Sequence, residues 1–156
     1  MTCDIDGVII RELKVYSDRR GWLVELFRWD ELPEEHRPVM GYVSMTAPHA
    51  SRGPHEHRDQ SDCFGFVGPS TFRLYLWDNR SHSATYGTKF IMEVGEGKPT
   101  MIIVPKGVAH AYTNIGKVPG LVYNAPNRLY AGQGRSGPVD EIRHEDDPQS
   151  GFKLEE

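Results

Sequence analysis

The stretch TFRLYLWD, residues 71–78, has the alternating side chains that are typical of a half-buried β-strand. Its apolar positions alternate with more polar or amphipathic ones: Phe72, Leu74 and Leu76 against Arg73, Tyr75 and Trp77. Successive residues of a strand point to opposite faces of a sheet, because the side-chain period is two. The pattern therefore predicts a strand with one buried face and one more exposed face.

Further short runs rich in β-branched and aromatic residues precede and follow this strand, and Gly, Pro, Asn, Asp or Ser separate most of them. They are VIIRELKVY (8–16), GWLVELFRW (21–29), GYVSMT (41–46), DCFGFVG (62–68), KFIMEV (89–94), TMIIVP (100–105), AHAYTNI (109–115) and GLVYNA (120–125). A helix-like pattern occurs only in DELPEEHR (30–37), for one or two turns. Many short strands without intervening helices predict an all-β sandwich or barrel.

The chain of 156 residues is long enough for one domain with a real core, so we expect a single domain over residues 1–156. From about Ala131 the sequence is polar and rich in Gly, Pro and charged residues and cannot build a core by itself. This tail either is loose or packs near the barrel mouth, and we expect the second arrangement. We expect its last residues, KLEE (153–156), to fray.

The formal net charge of −4 argues against a nucleic-acid partner, which usually requires a basic face. The first residues lack a basic segment followed by an apolar run, and no apolar stretch approaches the roughly 20 residues of a membrane span, so neither a signal peptide nor a membrane partner is expected. The two cysteines, Cys3 and Cys63, do not indicate a disulfide framework. These features predict a cytoplasmic protein.

Two histidines lie two residues apart in RGPHEHRDQSD, residues 52–62. On a strand, His55 and His57 would share one face. A third histidine, His110, follows the Pro-x-Gly turn that ends a buried strand. Such a group of imidazoles suits metal binding or proton transfer. The remaining histidines lie in polar loop-like sequence and are expected on the surface.

HxH, a following acidic residue and the later PxGxxHxxxN motif together resemble the two sequence motifs of the cupin superfamily. The resemblance implies a double-stranded β-helix, that is, a jelly-roll barrel. In metal-binding cupins, the matching positions face one ion. Here they would be His55, His57, Asp62 (or Gln60) and His110, a set that suits Zn, Fe, Mn or Ni.

Six motifs in order resemble the dTDP-4-dehydrorhamnose 3,5-epimerase family within that superfamily. They are DRRGWLVE (18–25), SRGPH (51–55), DNRSHSATYG (78–87), PKGVAHAY (105–112), NRLYAG (127–132) and DDP (146–148). We expect the polar residues of DNRSHSATYG to be structural. The resemblance implies epimerisation at C3, C5 or both of a nucleotide-diphosphate 4-keto-6-deoxyhexose, as in dTDP-rhamnose and cell-wall polysaccharide biosynthesis.

The implied reaction removes a proton next to the ketone, forms an enolate and returns a proton to the opposite face. The matching positions make His55 the base, Asp147 its carboxylate partner and Tyr130 the acid. A histidine titrates near neutrality and can take a carbon-bound proton, especially when a carboxylate holds its tautomer. A tyrosine has a proton to return from the other side.

The resemblance also implies five substrate contacts. Arg52 would bind phosphate, for which the guanidinium fork is suited. Arg20 and Glu25 would contact the nucleotide, in the family partly across a dimer interface, which implies a homodimer. Gln60 would contact the substrate, and His110 would line the pocket floor.

The sequence departs from the family at two positions of the site. Asp62 stands where the family has a lysine that supports the enolate, and His57 stands where the family has another residue. The main interpretation requires no cofactor. In an alternative, His55, His57, Asp62 and His110 bind a divalent metal that replaces the lysine, and the base is then another group.

Two further alternatives remain from the sequence. The R-G-x-H-x-H pattern resembles sugar-nucleotide 3,4-ketoisomerases, which move a ketone through an enediol. In the second alternative, the protein is a cupin that binds a metal or a sugar nucleotide without this turnover. Asp62 at the lysine position is the best support for this alternative.

Overall fold

The structure is a computed structural model that describes residues 3–155; Met1, Thr2 and Glu156 lie outside this range. Within it there are twelve β-strands: β1 (Ile9–Glu12), β2 (Val15–Asp18), β3 (Gly21–Val24), β4 (Tyr42–Thr46), β5 (Ser51–Glu56), β6 (Asp62–Phe66), β7 (Thr71–Asp78), β8 (Lys89–Gly95), β9 (Thr100–Val104), β10 (Val108–Asn114), β11 (Gly120–Asn124) and β12 (Ile142–Arg143). The same range contains four 3-10 helices: Trp29–Glu31, Glu34–His36, Gln133–Arg135 and His144–Asp146.

Two five-stranded antiparallel sheets enclose the main core. One has the strand order β1-β9-β6-β11-β4 and the other β12-β5-β10-β7-β8, while β2 and β3 form a separate hairpin. Phe66 and Ile102 from the first sheet pack with Phe72, Leu74 and Leu76 from the second, and all five are fully buried. The apolar face predicted for β7 therefore faces the core, and the all-β prediction is confirmed.

The outer face of β7 is buried as well, which the alternation did not predict. Tyr75 and Trp77 are 0% and 6% exposed, because Phe152 and Leu154 of the C-terminal segment pack against them. The Tyr75 hydroxyl also donates a hydrogen bond to the Glu155 carbonyl at 3.2 Å. The expectation that the chain end frays is therefore wrong for residues 153–155.

The helix-like stretch 30–37 overlaps the two 3-10 helices Trp29–Glu31 and Glu34–His36, as its short pattern predicted. No helix within residues 3–155 combines the length and the apolar character needed to cross a membrane.

Candidate active site

Three histidines meet between the sheets, where β5 pairs with β10. His55 and His110 are direct cross-strand partners, and their ring centroids lie 4.4 Å apart. His57 follows β5 immediately, and one ring nitrogen from each of the three histidines lies within 4.8 Å of the others. Gly53 permits this close approach: at its φ of +79°, a Cβ would lie 2.5 Å from the His110 carbonyl oxygen. A side chain at this position would therefore push the two strands apart.

Asp62, the first residue of β6, brings a carboxylate to the histidines from the facing sheet, and its side chain is 1% exposed. Its Oδ1 accepts hydrogen bonds from Asn124 Nδ2 and Gln60 Nε2, both at 2.9 Å. Its Oδ2 lies 3.1 Å from His57 Nε2 and 3.3 Å from His110 Nε2. Neither contact has hydrogen-bond geometry, so Asp62 Oδ2 and His110 Nε2 are buried without a hydrogen-bond partner among the described residues.

Backbone carbonyls determine which nitrogen of two of these rings carries a proton. His110 Nδ1 lies 3.1 Å from the Val108 carbonyl oxygen, and His57 Nδ1 contacts the Asp140 carbonyl oxygen. A carbonyl oxygen only accepts, so we assign a proton to Nδ1 of both rings. Their Nε2 atoms therefore face Asp62, and Gln60 Nε2 lies 3.3 Å from the Nε2 of His57.

The charges of the cluster follow from burial and from these contacts. Burial opposes ionisation of Asp62, but His110 and His57 outweigh it and hold the pKa of this carboxyl well below its usual range. Burial also opposes protonation of His57, but the Asp62 carboxylate and the Asp140 carbonyl raise its pKa to about 9. Burial, together with His110 and His57, lowers the pKa of His55 to about 2. His55 is therefore a neutral imidazole beside a charged pair.

A cavity of about 490 Å³ opens in front of His55 and His57. Tyr130 lies on its wall and is 55% exposed. Arg52 also lines it, held by hydrogen bonds from Nε to Thr46 Oγ1 (3.0 Å) and from Nη2 to the Met45 carbonyl (2.9 Å). Further polar residues that line the same cavity are Gln60, Arg128, Asp140, Glu141, Arg143 and Glu145. One cavity thus contains a neutral imidazole, a phenol and guanidinium groups.

The structure does not bring every predicted site residue to this cavity. Asp147 is exposed, and its Oδ1 accepts a hydrogen bond from the Gln149 amide at 2.9 Å. No hydrogen bond or ion pair among residues 3–155 joins Asp147 to His55. Arg20 lies on the β2–β3 turn and pairs with Asp18 at 2.6 Å, and Glu25 is exposed after β3. Neither Arg20 nor Glu25 lines the cavity of its own chain.

Comparison with known proteins identifies the family. The family model described as dTDP-4-dehydrorhamnose 3,5-epimerase matches residues 2–150. The chain belongs to this family. It is 38% identical over 131 residues to a probable low-salt glycan biosynthesis epimerase, Agl13, of Haloferax volcanii, with 81% of each protein covered. It is 36% identical over 115 residues to the spore coat polysaccharide biosynthesis protein SpsL of Bacillus subtilis, covering 74% of this chain and 75% of that protein.

The solved structures of similar proteins confirm the predicted cupin jelly roll. The dTDP sugar isomerase of Desulfovibrio desulfuricans superposes with a TM-score of 0.78 at 22% identity, covering 94% of this chain and 87% of that one. The epimerase NovW of Streptomyces spheroides superposes with a TM-score of 0.77 at 18% identity, covering 98% of this chain and 80% of that one. At these identities the likeness shows the fold alone.

Within the epimerase family fold, Asp62 does not face the cavity, although it occupies the position of the expected lysine. His57 and Gln60 line the cavity in front of it. The sequence motifs did not indicate Asp140 or Asn124, which contact this group through His57 and Asp62. Asp140 lies in the polar tail outside the quoted motifs, and Asn124 ends β11, so only the fold relates these two residues to the histidines.

Proposed function

We propose that the protein epimerises a nucleotide-diphosphate 4-keto-6-deoxyhexose at C3, C5 or both, through an enolate. The observation that carries this proposal is that His55 and Tyr130 line one cavity of about 490 Å³. Epimerisation requires a base and an acid on opposite faces of one carbon, and a cavity with both groups on its wall can hold the sugar between them. The relatives' roles in glycan and polysaccharide biosynthesis fit such a substrate.

His55 is the base in this proposal. Its lowered pKa keeps the ring unprotonated at neutral pH, and no hydrogen bond among the described residues occupies its ring nitrogens. A bound diphosphate would bring negative charge close to the ring and increase its basicity, which favours proton abstraction. The 4-ketone acidifies the adjacent C–H bonds, so a positioned imidazole suffices as a general base.

Tyr130 returns the proton, and the arginines hold the diphosphate. The Tyr130 side chain is exposed to the cavity and carries a hydroxyl that can donate to an enolate carbon. Arg52 and Arg128 line the same cavity, and guanidinium groups match phosphate oxygens with paired donors.

His57 takes over the support of the enolate in place of the family's lysine. Asp62 is buried behind it and does not line the cavity, so the carboxylate charge is not presented directly to a developing anion. Asp62 keeps the imidazole of His57 protonated, and a positive charge beside the site where the oxyanion forms stabilises the transition state more than the ground state. The acidic residue at the lysine position is thus compatible with epimerisation.

Proton NMR of dTDP-4-keto-6-deoxyglucose in D₂O with the enzyme tests the proposal. Loss of the C3 or C5 proton signals, with formation of inverted sugar, is the expected result and shows which carbons react. Transfer of the ketone to C3 would instead indicate 3,4-ketoisomerisation. A bound nucleotide sugar without exchange at either carbon would contradict turnover of this substrate.

A divalent metal in the histidine cluster is a second candidate, favoured by one observation. The buried Asp62 Oδ2 and His110 Nε2 have no hydrogen-bond partner among residues 3–155. Three imidazole nitrogens within 4.8 Å of one another fit a tetrahedral or five-coordinate ion. His55, His57, His110 and Asp62 would hold it. A bound divalent ion would supply positive charge for an enolate oxygen, and His55 would then not be the free base.

Metal analysis of protein purified without chelators tests this candidate. One equivalent of Zn, Fe, Mn or Ni, and visible absorption bands on addition of Co²⁺, would support it. The bands should be lost in His57→Asn and retained in His49→Asn, since His49 lies outside the cluster. Metal-free protein that still catalyses exchange would refute a catalytic metal.

A homodimer completes the proposal. Arg20 and Glu25 do not reach the cavity of their own chain, so the nucleotide contacts implied by the family require the hairpin of a second copy. The hairpin is suited to such packing, since Tyr16, Trp22 and Leu23 are 53%, 57% and 63% exposed.

The free thiols Cys3 and Cys63 fit the reducing cytoplasm predicted for the protein.

A further inference from the structure

One residue of the C-terminal tail, Asp140, holds the turn that connects His57 to Asp62. Its Oδ1 accepts a hydrogen bond from the Arg58 amide at 2.9 Å. Its Oδ2 accepts from the amides of Asp59 and Gln60 at 2.8 and 2.9 Å. Three consecutive amides that converge on one carboxylate form a concave anion-binding arrangement of the backbone. The path of this turn therefore depends on a residue about 80 positions further along the chain.

The main chain of Asp140 makes a fourth contact, to His57 itself. Its carbonyl oxygen contacts His57 Nδ1, and because the oxygen only accepts, the Nδ1 proton is fixed. The Asp140 carbonyl thereby keeps the Nε2 of His57 directed at Asp62 and Gln60.

Side-chain and main-chain contacts of Asp140 reinforce each other. The carboxylate fixes the position of the residue against the Arg58–Gln60 amides, and this places its carbonyl on the imidazole. The neighbouring β12 pairs with β5, with Arg143 opposite His55 and Ile142 opposite Glu56. This pairing holds the segment that follows Asp140 against β5. Asp140 is thus held from both directions at the edge of the cavity.

We propose that Asp140 is a positioning residue, which fixes the orientation of His57 and thereby the arrangement of the His57–Asp62–His110 group. The kinetic consequence rests on the proposed epimerase function. The orientation of His57 does not, and it applies equally if the group binds a metal, since a ligand histidine is oriented by the contact of its other ring nitrogen.

Asp140→Asn and Asp140→Ala test the inference, with Asp146→Asn as the matched control. The asparagine variant keeps the shape of the side chain and one acceptor oxygen, but it places an NH₂ group against amide donors. If the alanine variant does not fold, the asparagine variant decides the test. Asp146 belongs to the same tail and pairs with exposed Arg143 at 2.9 Å, without contact to the turn. Two quantities are measured: the ¹⁵N chemical shifts of the His57 ring, and kcat and KM from the exchange assay.

We expect the His57 ring shifts of Asp146→Asn to match those of the native protein, and the shifts of both Asp140 variants to differ from them because Nδ1 loses its contact to the Asp140 carbonyl. We expect kcat to fall at least about tenfold, the size of effect typical of residues that orient a functional histidine, with a smaller change in KM. Variants that retain the native ring shifts and kcat would overturn the inference. So would variants with a lower melting temperature but unchanged shifts and kcat, because Asp140 would then be structural only. If the native protein has no epimerase activity, the proposed function fails, and the ring shifts alone decide the role of Asp140.

Discussion

At the scale of single residues, the site depends on one imidazole that the fold leaves without a hydrogen-bond partner within residues 3–155. His55 is surrounded by His110 and His57, and both lower its pKa along with burial. Replacing His55 therefore removes a base but no stabilising hydrogen bond.

We predict that His55→Asn lowers the rate of C–H exchange by about 10²–10⁴-fold, the usual contribution of a general base, and leaves the melting temperature nearly unchanged. The exchange assay in D₂O and a thermal melt measure the two effects. His49→Asn is the control, because His49 has a φ of 62°, a conformation that asparagine tolerates well. An active His55→Asn enzyme would refute the assignment of the base.

Tyr130 allows abstraction of the proton to be separated from its return. We predict that Tyr130→Phe retains exchange at the reacting carbon but forms little inverted sugar, since His55 can take and return a proton on one face only. The side chain is 55% exposed, so the loss of its hydroxyl should not affect folding. NMR follows deuterium incorporation and product configuration in the same sample. Normal inversion in Tyr130→Phe would show that another group is the acid.

The sequence predicted the three-histidine group together with Asp62 and Gln60, but not the contacts of Asp140. HxH and PxGxxH lie on β5 and β10, and strand pairing alone makes neighbours of two such histidines. Asp140 joins them through a backbone carbonyl and through turn amides, and such contacts leave no pattern in side-chain identity. The DDP motif implied Asp147 as the carboxylate partner of His55, and the fold places this carboxylate on the Gln149 amide instead.

At the scale of elements, the turn after β7 is organised around one buried carboxylate. Asp78 accepts hydrogen bonds from the Arg80 guanidinium at 2.7 and 2.9 Å and from the Ser83 and Thr85 hydroxyls, both at 2.6 Å. Burial opposes its ionisation, but these donors outweigh it and lower the pKa of Asp78 well below its usual range. The DNRSHSATYG motif therefore has a structural basis, as the sequence analysis expected.

We predict that Asp78→Asn lowers the free energy of unfolding by about 3 kcal/mol at neutral pH, because it removes a buried carboxylate from the partly buried Arg80 guanidinium. Asp30→Asn should cost less than about 0.5 kcal/mol, because the Arg28–Asp30 pair is exposed. Since the folded-state pKa of Asp78 is depressed, its contribution is present above the ordinary carboxyl pKa of about 4 and is lost as the pH falls through the folded value. Denaturant unfolding between neutral and acid pH measures this. A difference between native protein and Asp78→Asn that does not shrink in acid would contradict the assignment.

The two faces of β7 show where strand periodicity stops being informative. Phe72, Leu74 and Leu76 were predicted correctly because the inner face contacts only the facing sheet. The outer face is covered by Phe152 and Leu154, from a segment more than 70 residues away whose polar composition did not indicate which strand it would cover. Two apolar side chains leave the average composition of this tail polar, so composition alone does not indicate their contact with Tyr75 and Trp77.

At the scale of the whole molecule, the apolar surface that remains exposed lies largely on the hairpin and on the sheet edge. The β2–β3 hairpin exposes Tyr16, Trp22 and Leu23, and β4 at the edge of its sheet exposes Val43 and Met45 at 54% and 64%. An open sheet edge with apolar side chains favours pairing with another chain. A second copy that covers this surface would also bring Arg20 and Glu25 to a cavity that they do not reach in their own chain.

We predict that the native protein is a dimer and that Leu23→Asp converts it to a monomer with a KM raised roughly tenfold, equivalent to about 1.4 kcal/mol of lost nucleotide binding. The physical reasons are the cost of burying a carboxylate in an apolar interface and the loss of the partner's hairpin contacts. Light scattering after size exclusion gives the mass, and the exchange assay gives KM. Tyr86→Ser is the control, since Tyr86 is 59% exposed in the turn at the other end of β7 from the hairpin. A monomeric native enzyme with full activity would refute a shared site, because one chain would then supply every nucleotide contact.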